Sequence, residues 1–262
     1  MLEPIEEEYD SRVRRTKLRL LRMHYESRVG HIGGNLSCID ILMALHHRVM
    51  KPDDTFLLSK GHAAGALYAT LWSTGRLTDL DLQSFHADGS HLSGHPAPNW
   101  IPEIPFATGS LGHGLSLASG IAHGRKLQNI PGRVFCVLSD GEMQEGSTWE
   151  AVLYISHQKL DNLTFFIDTN GLQGFGSTEE VVGLDRISDK LRSFGIVVTE
   201  IDGHNHDEII KACSLNPGTP MAVIARTRKG SGVSFMENRM EWHYLPMTEA
   251  EYTQACDEVR NS

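Results

Sequence analysis

Between residues 111 and 225 the chain alternates helical segments with short apolar runs, and this alternation restricts the fold more than any other feature. Helical patterns cover residues 111–127, 147–157, 187–194 and a stretch from Asp207, while strand-like runs occupy residues 133–138, 163–167, 195–201 and 221–225. A strand, a helix and a further strand in this order build a parallel sheet, since the helix returns the chain to the starting edge. Helices then cover both sheet faces, which accounts for strands that are apolar throughout rather than alternating. The expected class is α/β, with three layers, α/β/α, about a mostly parallel sheet. Upstream, a charged amphipathic helix is predicted over residues 9–29, with Val13, Leu18, Leu20, Leu21 and Met23 inward, stopping at Gly30. A second helix is expected from a Ser37 cap, burying Ile39, Ile41, Leu42 and Leu45, and a third after Gly61. Residues 85–107, rich in His, Pro and Gly and without either period, read as a long ordered loop of the kind that carries function. No internal repeat or linker interrupts the chain, so residues 1–262 are expected to form a single domain, with a C-terminal extension from about residue 228.

A formal net charge of -9 argues against a nucleic-acid surface, which needs clustered Lys and Arg to release counterions. No apolar run reaches membrane-spanning length, and the acidic start, MLEPIEEEYD, is unlike a secretory signal. Cys38, Cys136, Cys213 and Cys256 have neither metal-ligand nor disulfide-framework spacing. Free thiols in a reducing cytoplasm are the expectation, with small molecules or protein as partners. The 14 histidines stand out, many beside Gly or Pro where loop-borne sites are built.

Two polar clusters follow predicted strands. VFCVL ends in Ser139-Asp140-Gly141-Glu142, and LTFFI ends in Asp168-Thr169-Asn170-Gly171-Leu172. Both lie at the carboxyl edge of the sheet, where open α/β folds form their ligand crevices. Asp140 offers a carboxylate and Asn170 an amide carbonyl, hard oxygens suited to Mg2+ or another divalent cation shared with phosphates. Gly141 lets the backbone approach a phosphate, and the helix that follows adds oriented N–H groups.

Asn170 stands 30 residues after Asp140, with a helix and a strand predicted between them. This arrangement resembles the Gly-Asp-Gly…Asn motif of thiamine-diphosphate enzymes, with Ser139 in place of its first glycine. Further segments resemble the transketolase family in the family's order: Gly30-His31-Ile32-Gly33-Gly34, Leu58-Ser59-Lys60-Gly61-His62, Ser93-Gly94-His95-Pro96, residues 108–114 (TGSLGHG) and Ile201-Asp202-Gly203-His204. Residues 227–233 (TRKGSGV), followed by Glu241-Trp242-His243, are similar to the tail of transketolases encoded as two chains.

The resemblance implies the diphosphate-binding domain of a thiamine-diphosphate fold. It implies that Asp140, Asn170 and the carbonyl of Leu172 ligate Mg2+, and that His62, Gly109, Ser110, Leu111, Gly141, Asn170 and His204 surround thiamine diphosphate. His31, His95 and His204 would face the sugar as catalytic groups, neutral imidazoles able to give or take hydroxyl protons. Glu145 stands where the family places an acid at its subunit interface, and His113 where it commonly carries Gln. The implied reaction transfers a two-carbon ketol unit from a ketose to an aldose. It also implies a second subunit carrying the pyrimidine-binding domain and its catalytic glutamate, with sugars or sugar phosphates as substrates. Another carbon-ligating thiamine enzyme, or a non-catalytic cofactor-binding subunit, stays open at this point. A nicotinamide dehydrogenase does not fit, for no G-x-G-x-x-G follows a first strand.

Overall fold

The computed structural model describes residues 8–98, 100–183, 185–215 and 218–261. Among these residues are seven strands, β1 (Thr55–Leu58), β2 (Val134–Ser139), β3 (Leu163–Thr169), β4 (Leu172–Gln173), β5 (Gly176–Ser177), β6 (Val197–Asp202) and β7 (Met221–Arg226). Five of them form one sheet in the order β1-β2-β3-β7-β6, every neighbouring pair parallel, while β4 and β5 make a small antiparallel hairpin beside it. The register sets Ser139 level with Asp168, Thr169 level with Arg226, and Arg226 level with Asp202. The polar residues that end four strands are therefore gathered on one carboxyl edge.

The described residues form ten α-helices: α1 (Tyr9–Ser27), α2 (Ile32–Ala44), α3 (Ala64–Ser73), α4 (Asp79–Gln83), α5 (Gly114–Gln128), α6 (Gly146–His157), α7 (Thr178–Val182), α8 (Ile187–Ser193), α9 (His206–Ser214) and α10 (Glu249–Asn261). The period-two alternation of side chains divides the core in two. Phe135 and Val137 of β2 pack with α1, α2 and α3, whereas Val134, Cys136 and Leu138 face α5 and α6. This is the expected three-layer arrangement.

Four local readings need correction. Helix α2 starts at Ile32, not at Ser37, and is buried along its whole length. A helix with no solvent face has no amphipathic signal to mark its start. Ser37 does not cap it. Its hydroxyl instead donates to Asp168 at 2.6 Å and to the Gly34 carbonyl at 3.0 Å. Strand β1 was not expected, since its apolar stretch is too short to separate strand from helix by periodicity. The C-terminal extension holds a further helix, α10, which packs on α1, with Tyr25 and Tyr252 stacked at 4.4 Å. Residues 84–113 hold no helix or strand among those described. Bonds such as Tyr68 Oη to the Ser93 carbonyl at 3.1 Å fix this loop over α3.

Candidate active site

The floor of the site is a buried ion pair. Lys60, just past β1, and Asp168, near the end of β3, are both inaccessible to solvent and paired directly. The Lys60 ammonium also donates to the Gly34 carbonyl at 3.0 Å, while Ser37 and Thr227 donate their hydroxyls to Asp168. Burial alone would lower the lysine's pKa, but Asp168 reverses this and holds it above its ordinary value. One carboxylate thus ties the exits of β1, β3 and β7 to the first turns of α2.

Beside it lies the oxygen cluster. Asp140 follows β2 and accepts the N–H groups of Gly141 at 2.8 Å and Gly171 at 2.7 Å, while Asn170 Oδ1 accepts from Leu172 N at 3.1 Å. Burial, then the nearby charge of Asp168, pushes the Asp140 carboxyl up to about 6, as expected of a carboxylate short of positive charge. No group of three His, Cys, Asp or Glu side chains that could hold a metal occurs among the described residues. The donor set here is one carboxylate, one amide oxygen and backbone carbonyls, each with a lone pair to spare. That set fits Mg2+, which takes few protein oxygens and keeps water or phosphate in its remaining positions.

Glu142, also buried, organises the rim: it accepts Ser59 Oγ at 2.5 Å, Ser139 N at 2.9 Å and Gly112 N at 3.1 Å. Three loops meet on this carboxylate, whose pKa burial raises.

Four histidines face one another above the floor. Ring centroids of His31 lie 5.8 Å from His62, 6.2 Å from His95 and 4.9 Å from His243, and His62 lies 5.7 Å from His243. His31 is held at φ 67°, the left-handed region where a non-glycine residue is strained, and its N–H donates to the His243 carbonyl at 3.0 Å. Gly109, at φ 127°, passes so close beneath the His95 ring that a Cβ would collide with it, and a Cβ on Gly61 would lie only 2.6 Å from Gly109 N. Burial depresses the pKa of all four, helped by His95 and Lys229 at His31, by Lys60 at His62, by His86 at His95 and by Lys229 at His243. His31 falls to about 4 and His243 to about 3. Neutral rings result, each with one donor and one acceptor nitrogen, a pattern that matches sugar hydroxyls.

Lys229 completes the set. It is 2% exposed, its ammonium lies 3.1 Å from His243 Nδ1, and no ion pair joins it to a carboxylate among the described residues. Burial, with Lys60 nearby, brings its pKa down to about 8. A buried ammonium without a carboxylate suits an anionic ligand such as a diphosphate.

A family model described as "Transketolase, thiamine diphosphate binding domain" matches residues 13–259. The chain belongs to the transketolase family. It is 38% identical over 257 residues to a subunit of apulose-4-phosphate transketolase from Phocaeicola vulgatus, covering 94% of this chain and 91% of that one. It is 37% identical to a subunit of 6-deoxy-6-sulfo-D-fructose transketolase from Clostridium sp., with 88% of each covered. Human transketolase is 35% identical over 88% of this chain, but that stretch is only 38% of the human protein. Among solved structures, transketolase from Campylobacter jejuni aligns with a TM-score of 0.86 at 27% identity, covering 96% of this chain and 42% of that one. The Leishmania mexicana enzyme shares the fold with a TM-score of 0.90 at 24% identity, over 97% and 41%. The chain therefore spans about two fifths of the transketolases whose structures it matches.

Within this transketolase fold, the expected residues are not all brought together. Asp140, Asn170 and Leu172 share one corner with Gly141, and His31, His62 and His95 share the ring cluster with Gly109. Ser110 is exposed and Leu111 half-buried on the turn above, where His113 Nδ1 lies 3.1 Å and 3.2 Å from the carbonyls of Leu111 and Ser110. Glu145 is exposed at the start of α6. His204 stands apart: its Nδ1 lies 2.8 Å from Asp40 and its Nε2 accepts the N–H of Arg228 at 2.9 Å, leaving neither nitrogen for a sugar. Its place in the cluster is taken by His243. That residue, with Lys60, Lys229 and Glu142, lies inside the sequence motifs but has no role assigned by them; a histidine beside Trp242 in the extension is the available signal.

Proposed function

We propose that this chain is the diphosphate-binding subunit of a two-polypeptide transketolase, acting in the cytoplasm on sugars or sugar phosphates. The observation that carries the reading is the meeting, on one sheet edge, of the Asp140–Asn170 oxygen cluster, the Lys229 ammonium and a ring of neutral histidines. Asp140, Asn170 and the Leu172 carbonyl would hold Mg2+, and Gly141 and Lys229 would flank the diphosphate. When bound, thiamine diphosphate supplies the nucleophilic carbon and the electron sink that ketol transfer requires. The chain's own residues orient the sugar: His31, His95 and His243 offer donor and acceptor nitrogens to its hydroxyls. His62 packs behind His31 and His243 and fixes their tilt. A partner polypeptide would bring the pyrimidine-binding domain with its glutamate. Support for a partner comes from relatives of similar length that are themselves named as transketolase subunits.

The test is to measure ketose cleavage, and exchange of the thiamine C2 proton, with the chain alone and with a candidate partner added. Cofactor binding by the lone chain, with turnover only in the mixture, is expected. Full turnover by the lone chain sinks the two-polypeptide reading, and binding without turnover in any mixture points to a non-catalytic subunit.

A further inference from the structure

His204 closes the turn after β6, where its N–H donates to the Asp202 carboxylate at 2.9 Å and Gly203 N donates to the Arg226 carbonyl at 2.8 Å. The imidazole then spans two elements. Arg228 N–H can only donate, so Nε2, 2.9 Å away, is the bare nitrogen and Nδ1 carries the proton. Nδ1 meets Asp40 at 2.8 Å, a residue of α2 that is 2% exposed. Asp40 can serve as the acceptor because Lys17 of α1 approaches it at 2.8 Å, and His206 at 3.4 Å. Burial would push the Asp40 carboxyl up, but Lys17 and the two histidines outweigh this and hold it below the usual carboxylate range. A carboxylate that fixes the tautomer and tilt of a histidine is a common way to orient a third group.

That third group is a short backbone segment. Residues 227–230 are pinned at intervals: Thr227 on Asp168, Arg228 N on His204, Lys229 O by Asn238 N at 2.9 Å, and Gly230 N on the Gly33 carbonyl at 2.9 Å. From this segment Thr227 reaches the Asp168 carboxylate of the floor, and Lys229 reaches the histidine cluster, 3.1 Å from His243.

We propose that His204 is a positioning residue: locked by Asp40 in the Nδ1–H tautomer, it holds the Arg228 backbone and thereby aims Lys229 at His243 and the cofactor's anionic end. The functional part rests on the reading of that pocket as the thiamine-diphosphate site. The structural part does not.

Two near-isosteric variants separate the roles of the two nitrogens. The amide of Gln reaches the position of Nε2 and can accept the Arg228 N–H, while the amide of Asn reaches Nδ1 and can donate to Asp40. Calorimetry of thiamine diphosphate with Mg2+ on the full chain should find His204→Gln close to wild type and His204→Asn weaker by about tenfold or more, the scale of losing an orienting partner. Equal affinities in the two variants, whether both weak or both intact, overturn the proposal, because a packing role does not distinguish the nitrogens. Imidazole 15N spectra of the chain without cofactor give an answer even where the function reading fails. His204 should be protonated at Nδ1, and the His243 resonances should move in His204→Asn but not in His204→Gln. A wild-type chain that does not bind thiamine diphosphate counts against the proposed function, whereas His243 resonances unmoved in both variants count against the positioning role.

Discussion

At the scale of single residues, charge and burial divide the work. Asp140 is the one carboxylate in the expected metal corner, so Asp140→Ala should weaken Mg2+-dependent thiamine diphosphate binding by more than about 100-fold, beyond the cost of losing an outer-shell partner. Calorimetry with and without Mg2+ checks this, and an unchanged affinity would remove Asp140 from the metal site. The histidines are a different case, since they touch hydroxyls rather than holding the cofactor. His31→Ala and His243→Ala should each lower turnover of the completed enzyme by about 10², the usual scale for an acid–base or hydroxyl-orienting group, with cofactor affinity little changed. His243 is the sharper test, because its place in the set comes from its contacts and from no role that a sequence motif assigns: wild-type turnover in that variant would leave the cluster with three members.

At the scale of elements, the site depends on side chains that lock strand exits to helix starts. Lys60 and Asp168 do this between β1, β3 and α2, with both groups wholly buried. Removing one partner leaves a buried charge without compensation, so Lys60→Met should destabilise the fold by about 3–5 kcal/mol. Asp168→Leu added to Lys60→Met should restore part of that loss, since the orphan charge goes too, though the Thr227 hydroxyl loses its acceptor while Ser37 keeps the Gly34 carbonyl. Urea melts of the two single variants and the double variant measure the coupling, and strict additivity would contradict the pairing. The main alternation of strand and helix from residue 111 onward was legible because short, largely apolar strands contrast with longer helical segments, while the small β4–β5 hairpin and α7 lack such contrast. Helix α2 was only half legible. Its start is marked by neither a polar face nor a capping side chain, but by the strained backbone at His31 and the bonds of Asn35 to the His31 and His62 carbonyls, at 2.8 Å and 3.2 Å.

At the scale of the whole molecule, buried neutral histidines make stability depend on pH. His24 and His46 are lowered to about 4, chiefly by burial, as is His31. The unfolded chain takes up protons below the ordinary histidine value of about 6.5. The folded chain does not until near 4 at these positions. In that window the unfolded state binds more protons, so stability rises with pH and is lost as pH falls, by about 3 kcal/mol in the limit for a group such as His24. Asp140, raised to about 6 in the absence of a cation, and Glu142, raised by burial, work in the opposite sense, but they are two carboxyls against the lowered rings of His24, His31, His46, His62 and His243. Urea melts without divalent ions should therefore give a lower midpoint at about pH 5 than at about pH 7, and a midpoint that holds or rises would contradict the neutral buried rings.

The α/β class, four of the five strands of the main sheet and the Asp140 to Asn170 corner were readable from the amino-acid sequence, because these follow from short apolar runs between helical segments and from motifs carried at the ends of adjacent parallel strands. Strand register then delivers such residues to one edge with little further choice. Which histidines meet is settled by long-range packing. His31 and His243 are far apart in the chain, and their contact depends on the C-terminal extension folding back across the start of α2, where the His31 N–H binds the His243 carbonyl. His204 carries a motif of equal local appearance, yet the ring is claimed by Asp40 and the Arg228 backbone. A motif specifies a side chain's chemistry, while the neighbours that engage its donors and acceptors are set by long-range packing, which has no local signature.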